Sequence, residues 1–175
     1  PLSGFDSSSA RHPLGASRQG LVVETRFCPE DVADPFETVE WDQRVAAIKG
    51  ESGAVLFEQT NCEVPASWSQ LATNVVVSKY FYGEVNTPER EHSVKQLIHR
   101  VSRTIADWGL EDGYFASAED GERFYRELTW LCLHQYGAFN SPVWFNVGLH
   151  HLYGITGAPC NWHWNPTTEV VEQPE

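Results

Sequence analysis

The sequence predicts a mainly α fold: three helices that lead into one extended, aromatic-rich segment. Three observations predict it. Apolar residues recur three and four apart over 67–82, 88–108 and 118–136. A Ser or Thr stands where each of these stretches begins, as a helix N-cap should. The run Phe139 to Phe145 is apolar and is interrupted by Pro142, which reads as a kinked strand. The 175 residues are 41% hydrophobic, which supplies a core and argues against global disorder.

Taken in order, residues 1–22 are small, polar and aperiodic and read as a disordered tail. Leu21 to Phe27 is strand-like, and the acidic stretch around Pro29 and Pro35 is loop. Trp41 to Ile48 fits a short helix or a strand, and Ala54 to Phe57 a strand, with Pro65 closing the connection that follows. Ser67 and Gln70 have capping-box spacing at the head of the first helix. Its stripe is Trp68, Leu71, Ala72, Val75 and Val76, weakened by the β-branched Val75–Val77 triplet.

The second helix takes Thr87 as cap, Pro88 at its first position, and Glu89 and Glu91 in the positive first turn. Val94, Leu97, Ile98, Val101, Ile105 and Trp108 form its apolar stripe, and Gly109 is its stop. Lys95, His99, Arg103 and Asp107 would then face solvent. The third helix has Ser117 as cap, Glu119 and Asp120 in its first turn, and Phe124, Leu128, Leu131 and Cys132 on one face, with Gly137 as the stop. From Gly148 onward the chain reads as loop. The domain division is therefore a tail over 1–22, a helical domain over 23–137, and the start of a further unit over 138–175.

Twelve basic against 24 acidic residues give a net charge of −12, which disfavours nonspecific binding to nucleic acid or to an anionic membrane. No apolar run reaches the roughly 18–20 residues of a membrane span. No secretory leader pattern is present at the start. Cysteines 28, 62, 132 and 160 are widely and irregularly spaced, which suits free thiols in a reducing cytosol. The chain starts at Pro1, contains no methionine and stops in a polar stretch, so a fragment is expected.

Four constellations bear on chemistry. Cys160-Asn-Trp-His163 with His150 and His151 offers a Cys-x2-His pair, but a closed zinc site wants four ligands, and none is expected. Cys132 and His134 are two apart on a helix and point to different faces, so Cys132 is a core residue rather than a nucleophile. Neither glycine-rich nucleotide fingerprint is present. In Asn140-Ser141-Pro142 the proline should hold Ser141 extended, where its hydroxyl and amide can face an anion; a plain turn is the alternative.

The blocks FEQTNCEVPASWSQLATNVVVSKYF (57–81), TPERE (87–91), SVKQLI (93–98) and FNSPVWFN (139–146) together resemble the N-terminal region of class II, vitamin B12-dependent ribonucleotide reductases. The resemblance covers roughly residues 40 to 175. It implies an oxidoreductase that forms 2′-deoxyribonucleotides for DNA synthesis and repair. Adenosylcobalamin would generate a thiyl radical on a cysteine inside a ten-stranded α/β barrel. Two further cysteines would supply electrons and be re-reduced by a thioredoxin-like partner.

The same resemblance makes residues 23–137 the helical domain and 139–146 the first barrel strand or its approach, with the rest of the barrel absent. Ser141 matches the position that holds the substrate's phosphate end, flanked by Asn140 and Pro142. No catalytic, cofactor-binding or metal residue is carried over. The first redox cysteine belongs to a Ser-Ala-Cys-Phe motif that this sequence does not contain, and Cys160 does not match it. Alone, the chain is expected to be inactive and not to bind cobalamin. The implied partners are a ribonucleotide, taken as a diphosphate, the reductant and the rest of the reductase chain, in the cytoplasm. The competing reading is a small helical binding or regulatory module without catalysis.

Overall fold

The computed structural model describes residues 20–156 and 163–172. A 3-10 turn over Pro35–Thr38 precedes a long antiparallel hairpin, β1 (Trp41–Lys49) and β2 (Val55–Pro65). Helices α1 (Gln70–Tyr80), α2 (Val94–Glu111) and α3 (Ala118–Leu133) follow. Two short helices, α4 (Ser141–Asn146) and α5 (Leu149–Tyr153), and a small antiparallel hairpin, β3 (His163–Asn165) with β4 (Val170–Glu172), complete the order.

The content is thus mixed α/β, with two two-stranded sheets, and not the mainly α, three-helix arrangement expected from sequence. The 139–146 segment is the second correction. It contains helix α4, with Pro142 in the first turn. Proline lacks an N–H, but the first turn of a helix has no use for one there, and the fixed φ suits the helix start. Asn140 before it carries the extended backbone, with φ −69° and ψ 163°.

The β1–β2 hairpin bulges where Arg44 pairs with Cys62 and Ala46 with Gln59. Asn61 on the longer side takes a left-handed φ of 55°. The bulge turns the Val45 carbonyl to the Gln70 side chain at 2.9 Å, so the hairpin meets the head of α1. Arg44 braces the same junction by donating to the carbonyls of Trp68 and Ala66 at 2.6 and 2.8 Å.

The caps of α1 and α2 lie later in the chain than the sequence predicts. Ser69, not Ser67, caps α1 by accepting from the Ala72 amide at 3.0 Å. The capping box belongs to α2, with Ser93 as cap and Gln96 accepting from the Ser93 amide at 3.1 Å. Thr87 instead closes a turn, with Arg90 N donating to its carbonyl at 3.1 Å. Gly109 lies inside α2, which runs on to Glu111; glycine is needed there because a side chain would strike the Phe115 ring. Ser117 does cap α3, accepting from the Asp120 amide at 3.1 Å.

The core joins Ala46, Cys62 and Val64 of the hairpin to Val77 of α1, Val94, Leu97, Ile98 and Val101 of α2, and Leu133 of α3. Trp68 lies in it and donates its indole N–H to the Leu133 carbonyl at 2.9 Å. The polar face of α2 does not simply face water. Lys95 pairs with Glu63 at 2.9 Å, Arg103 with Asp107 and Glu122, and His99 bonds the Tyr125 hydroxyl at 2.8 Å. Among the described residues no helix is long and apolar enough to cross a membrane.

The segment ahead of the 3-10 turn is pinned to α3 by side chains. Glu127 accepts from the Phe27 and Cys28 amides at 2.8 and 3.1 Å, and Asp120 from the Val23 amide at 2.9 Å. The Ser117 hydroxyl, the Val23 amide and Arg123 hold the Asp120 carboxyl below its usual range. The stabilisation this provides is complete above the ordinary carboxylate value of about 3.9 and is lost as pH falls through the lower folded value. Hydrogen-exchange protection of the Val23 amide should therefore persist to below about pH 4 and then collapse. Protection already falling near about pH 6 would contradict this assignment.

Candidate functional site

Ser141 is the first residue of α4, half-buried, at the point where the chain leaves the loop after α3. Its hydroxyl oxygen lies 3.2 Å from the Tyr80 phenol at the end of α1. The Tyr80 ring packs on Phe145 with centroids 5.4 Å apart. Behind them Trp144 is buried, its ring edge-on to Phe139 at 5.3 Å.

What seats α4 is a buried charge pair that the sequence reading did not find. Arg100 of α2 is wholly buried, with Nε 2.8 Å from Glu91 Oε1. Its Nη1 donates to the Val147 carbonyl at 2.7 Å and its Nη2 to the Trp144 carbonyl at 3.2 Å. These are carbonyls at the end of α4, which a short helix leaves without intrahelical partners. Glu91 also accepts from the Tyr82 amide and the Tyr153 hydroxyl, each at 2.8 Å. Burial and the adjacent Glu91 charge push the Tyr153 phenol well above its ordinary value, so it stays a proton donor to that carboxylate.

Glu91 was expected in the first turn of the second helix; it precedes the helix and is buried. The signal for Arg100 was present, since it falls three residues after Leu97 and beside Val101 on the apolar stripe. A charge on a core-facing stripe has to be paired. Tyr80 carried no signal of its own beyond its place in the aromatic pair Tyr80-Phe81.

Next to α4 lies a cavity of about 360 Å³, lined by Trp68, Tyr80, Leu97, Cys132, Phe139 and Trp144 among others. Cys132 belongs to the core as expected, and burial pushes its thiol up to about 11. It is a poor nucleophile at neutral pH. His134 is turned elsewhere, stacked on Trp130 at 4.1 Å and bonded to the Thr38 hydroxyl at 2.9 Å. His151 on α5 pairs with Asp107 at 2.9 Å. Cys160 and the His163 side chain lie outside the described residues. Among the described residues no three His, Cys, Asp or Glu side chains come together as a metal site.

The start of α4 thus presents a serine hydroxyl beside the Tyr80 phenol and the Phe145 ring, while the buried Arg100 holds the far end of the helix. Residues 42–135 match the family model for class II vitamin B12-dependent ribonucleotide reductase. The chain belongs to that family. It is 69% identical over 163 residues to the vitamin B12-dependent ribonucleotide reductase of Rhodopirellula baltica, covering 93% of this chain and 16% of that protein. The reductase of the same name from Streptomyces coelicolor is 50% identical over 131 residues, covering 74% of the chain and 13% of that protein. That of Agrobacterium fabrum is 32% identical over 170 residues, covering 78% and 13%. The chain thus spans about a sixth or less of the length of these relatives and matches their N-terminal region.

The cofactor in those names does not fit the cavity beside α4. Its volume of about 360 Å³ is at the small end of the roughly 300–1,000 Å³ of drug-sized sites. A corrin with its amide side chains and nucleotide loop needs more room and more polar partners than this apolar lining offers.

Proposed function

We propose that this chain is the N-terminal part of an adenosylcobalamin-dependent reductase that turns ribonucleoside diphosphates into 2′-deoxyribonucleotides in the cytoplasm, for DNA synthesis. A thioredoxin-like protein serves as its reductant. Family membership supports the reaction class. The thiyl-radical chemistry belongs to segments other than this one, whose described cysteines 28, 62 and 132 are buried.

Within that enzyme, Ser141 holds the phosphate end of the substrate. One observation carries this reading: the Ser141 hydroxyl is at the head of α4, on a segment fixed at its far end by Arg100. A preset hydroxyl in apolar surroundings makes a stronger charge-assisted bond to phosphate than it would in water. The helix has only six residues, so its dipole adds little and the hydroxyl itself is the recognising group.

Ser141→Ala in the full-length reductase should remove one such bond, worth about 1.5–3 kcal/mol. That is roughly a ten- to hundredfold loss in kcat/KM. The loss should fall on KM, because the phosphate is remote from the reacting sugar carbons and is bound alike in ground and transition states. Steady-state kinetics beside a melting curve test it. An unchanged KM with a lowered Tm would leave Ser141 as a turn residue only.

A further inference from the structure

The pairing of Ser141 with Tyr80 has a direction that the chemistry of the ligand settles. A serine hydroxyl carries one proton and two lone pairs. A phosphate at neutral pH offers acceptor oxygens, so a serine that binds it donates its only proton to it. What Ser141 can then share with Tyr80, 3.2 Å away, is an oxygen lone pair, and the phenol has to be the donor.

We propose that Tyr80 is a positioning residue for the anionic end of the substrate: it donates to Ser141 Oγ, fixes the rotation of that hydroxyl and aims its proton at the phosphate. This rests on the reading of Ser141 given above and adds a residue to it. A hydroxyl free to rotate pays to be oriented when the ligand arrives; one already held by a donor does not. The donated bond also polarises the serine hydroxyl and strengthens its own donation.

The two oxygens meet because both carriers are held. The end of α1 is fixed by Arg90. Its Nη2 donates to the Val77 carbonyl at 2.7 Å, and its Nη1 to the Phe81 and Gly83 carbonyls at 2.6 and 2.9 Å. Its guanidinium lies 5.7 Å from the Phe81 ring centre. Tyr80 is the last residue of that helix. Ser141 sits on α4, which Arg100 holds by its far-end carbonyls. A contact between two braced elements keeps its geometry better than one between two free side chains.

The test is a double-mutant cycle in the full-length reductase with a ribonucleoside diphosphate as substrate. Tyr80→Phe keeps the ring and its packing on Phe145 and removes only the hydroxyl. It should raise KM about three- to tenfold, with kcat and Tm unchanged. In the Ser141→Ala background the same change should have no further effect on KM, because its target is gone. If Ser141→Ala raises KM and Tyr80→Phe does not, the role given to Tyr80 is wrong and the Ser141 reading survives. If the two losses multiply, Tyr80 acts independently of Ser141 and the inference is overturned. If Tyr80→Phe lowers kcat and Tm with KM unmoved, the phenol is structural. If Ser141→Ala itself leaves KM unchanged, the phosphate reading falls and takes this inference with it.

Discussion

Arg100→Met should destabilise the chain by about 3–5 kcal/mol, because it strands the buried Glu91 carboxylate without its countercharge. For a domain of this size that is roughly 6–20 °C in Tm. The geometry explains why the loss is that large. Both partners are essentially excluded from water, at 0% and 1% side-chain exposure. Removing the guanidinium also frees the Trp144 and Val147 carbonyls it satisfies, and a buried carbonyl without a donor adds its own penalty. Methionine preserves much of the volume, so a cavity does not dominate the result. The pair itself need not be a net source of stability, since desolvating two ions offsets most of their attraction. The double variant Glu91→Gln with Arg100→Met should accordingly recover part of the loss, because the charge left behind is removed. Melting curves of the three proteins check this. A single-variant loss under about 1 kcal/mol, the size of a surface pair, would show that the site admits water. On the role proposed for Ser141, Arg100→Met in the full-length reductase should also raise KM, since α4 carries that residue.

How far the sequence spoke for itself differs from element to element. The three longer helices were legible because each repeats apolar residues at helical spacing and carries a capping side chain. Their ends were not. Pro88 reads as a helix start but sits in a turn, while Pro142 reads as a strand kink but sits in the first turn of α4. A proline fixes φ near one value and removes a donor, which suits a turn and a helix start equally. The choice was made by long-range contacts, above all by the Arg100 side chain that satisfies the carbonyls of α4.

The β1–β2 hairpin was only half legible. Val55 and Leu56 are exposed near its tip, and the bulge at Asn61 breaks the alternation that marks a strand. Its stability comes from Ala46, Cys62 and Val64 packing on the helices, which no local pattern shows. Ser141 carried a weak local signal, a hydroxyl and amide before Pro142 that could face an anion, and the family resemblance is what raised it above a plain turn. Nothing in Phe139 to Asn146 indicates that the Tyr80 hydroxyl, 61 positions earlier, lies beside it.

A pair of glycines gives the second large effect and separates two causes usually confounded. Gly148 and Gly154 flank α5, and both have left-handed backbones, with φ of 85° and 67°. An L side chain costs about 1–2 kcal/mol in that conformation wherever it stands. The surroundings differ. A Cβ at Gly154 meets nothing within 4 Å, whereas one at Gly148 would lie 2.4 Å from the Arg100 carbonyl oxygen and 2.8 Å from Thr104 Oγ1. Neither neighbour can easily give way. The Thr104 hydroxyl donates to that same carbonyl at 2.7 Å, within α2. Gly154→Ala should therefore cost only the backbone term. Gly148→Ala adds overpacking of about 1–3 kcal/mol, for a total of about 2–5 kcal/mol. Because the residue before Gly148 is Val147, whose carbonyl Arg100 holds, relieving the clash would push the end of α4 off its donor. On the role proposed for Ser141, Gly148→Ala in the full-length reductase should then raise the KM for the ribonucleotide, and Gly154→Ala should not. Equal losses of Tm in the two variants would show that α5 can lift away from α2 without cost, and that the close contact at Gly148 does not seat α4.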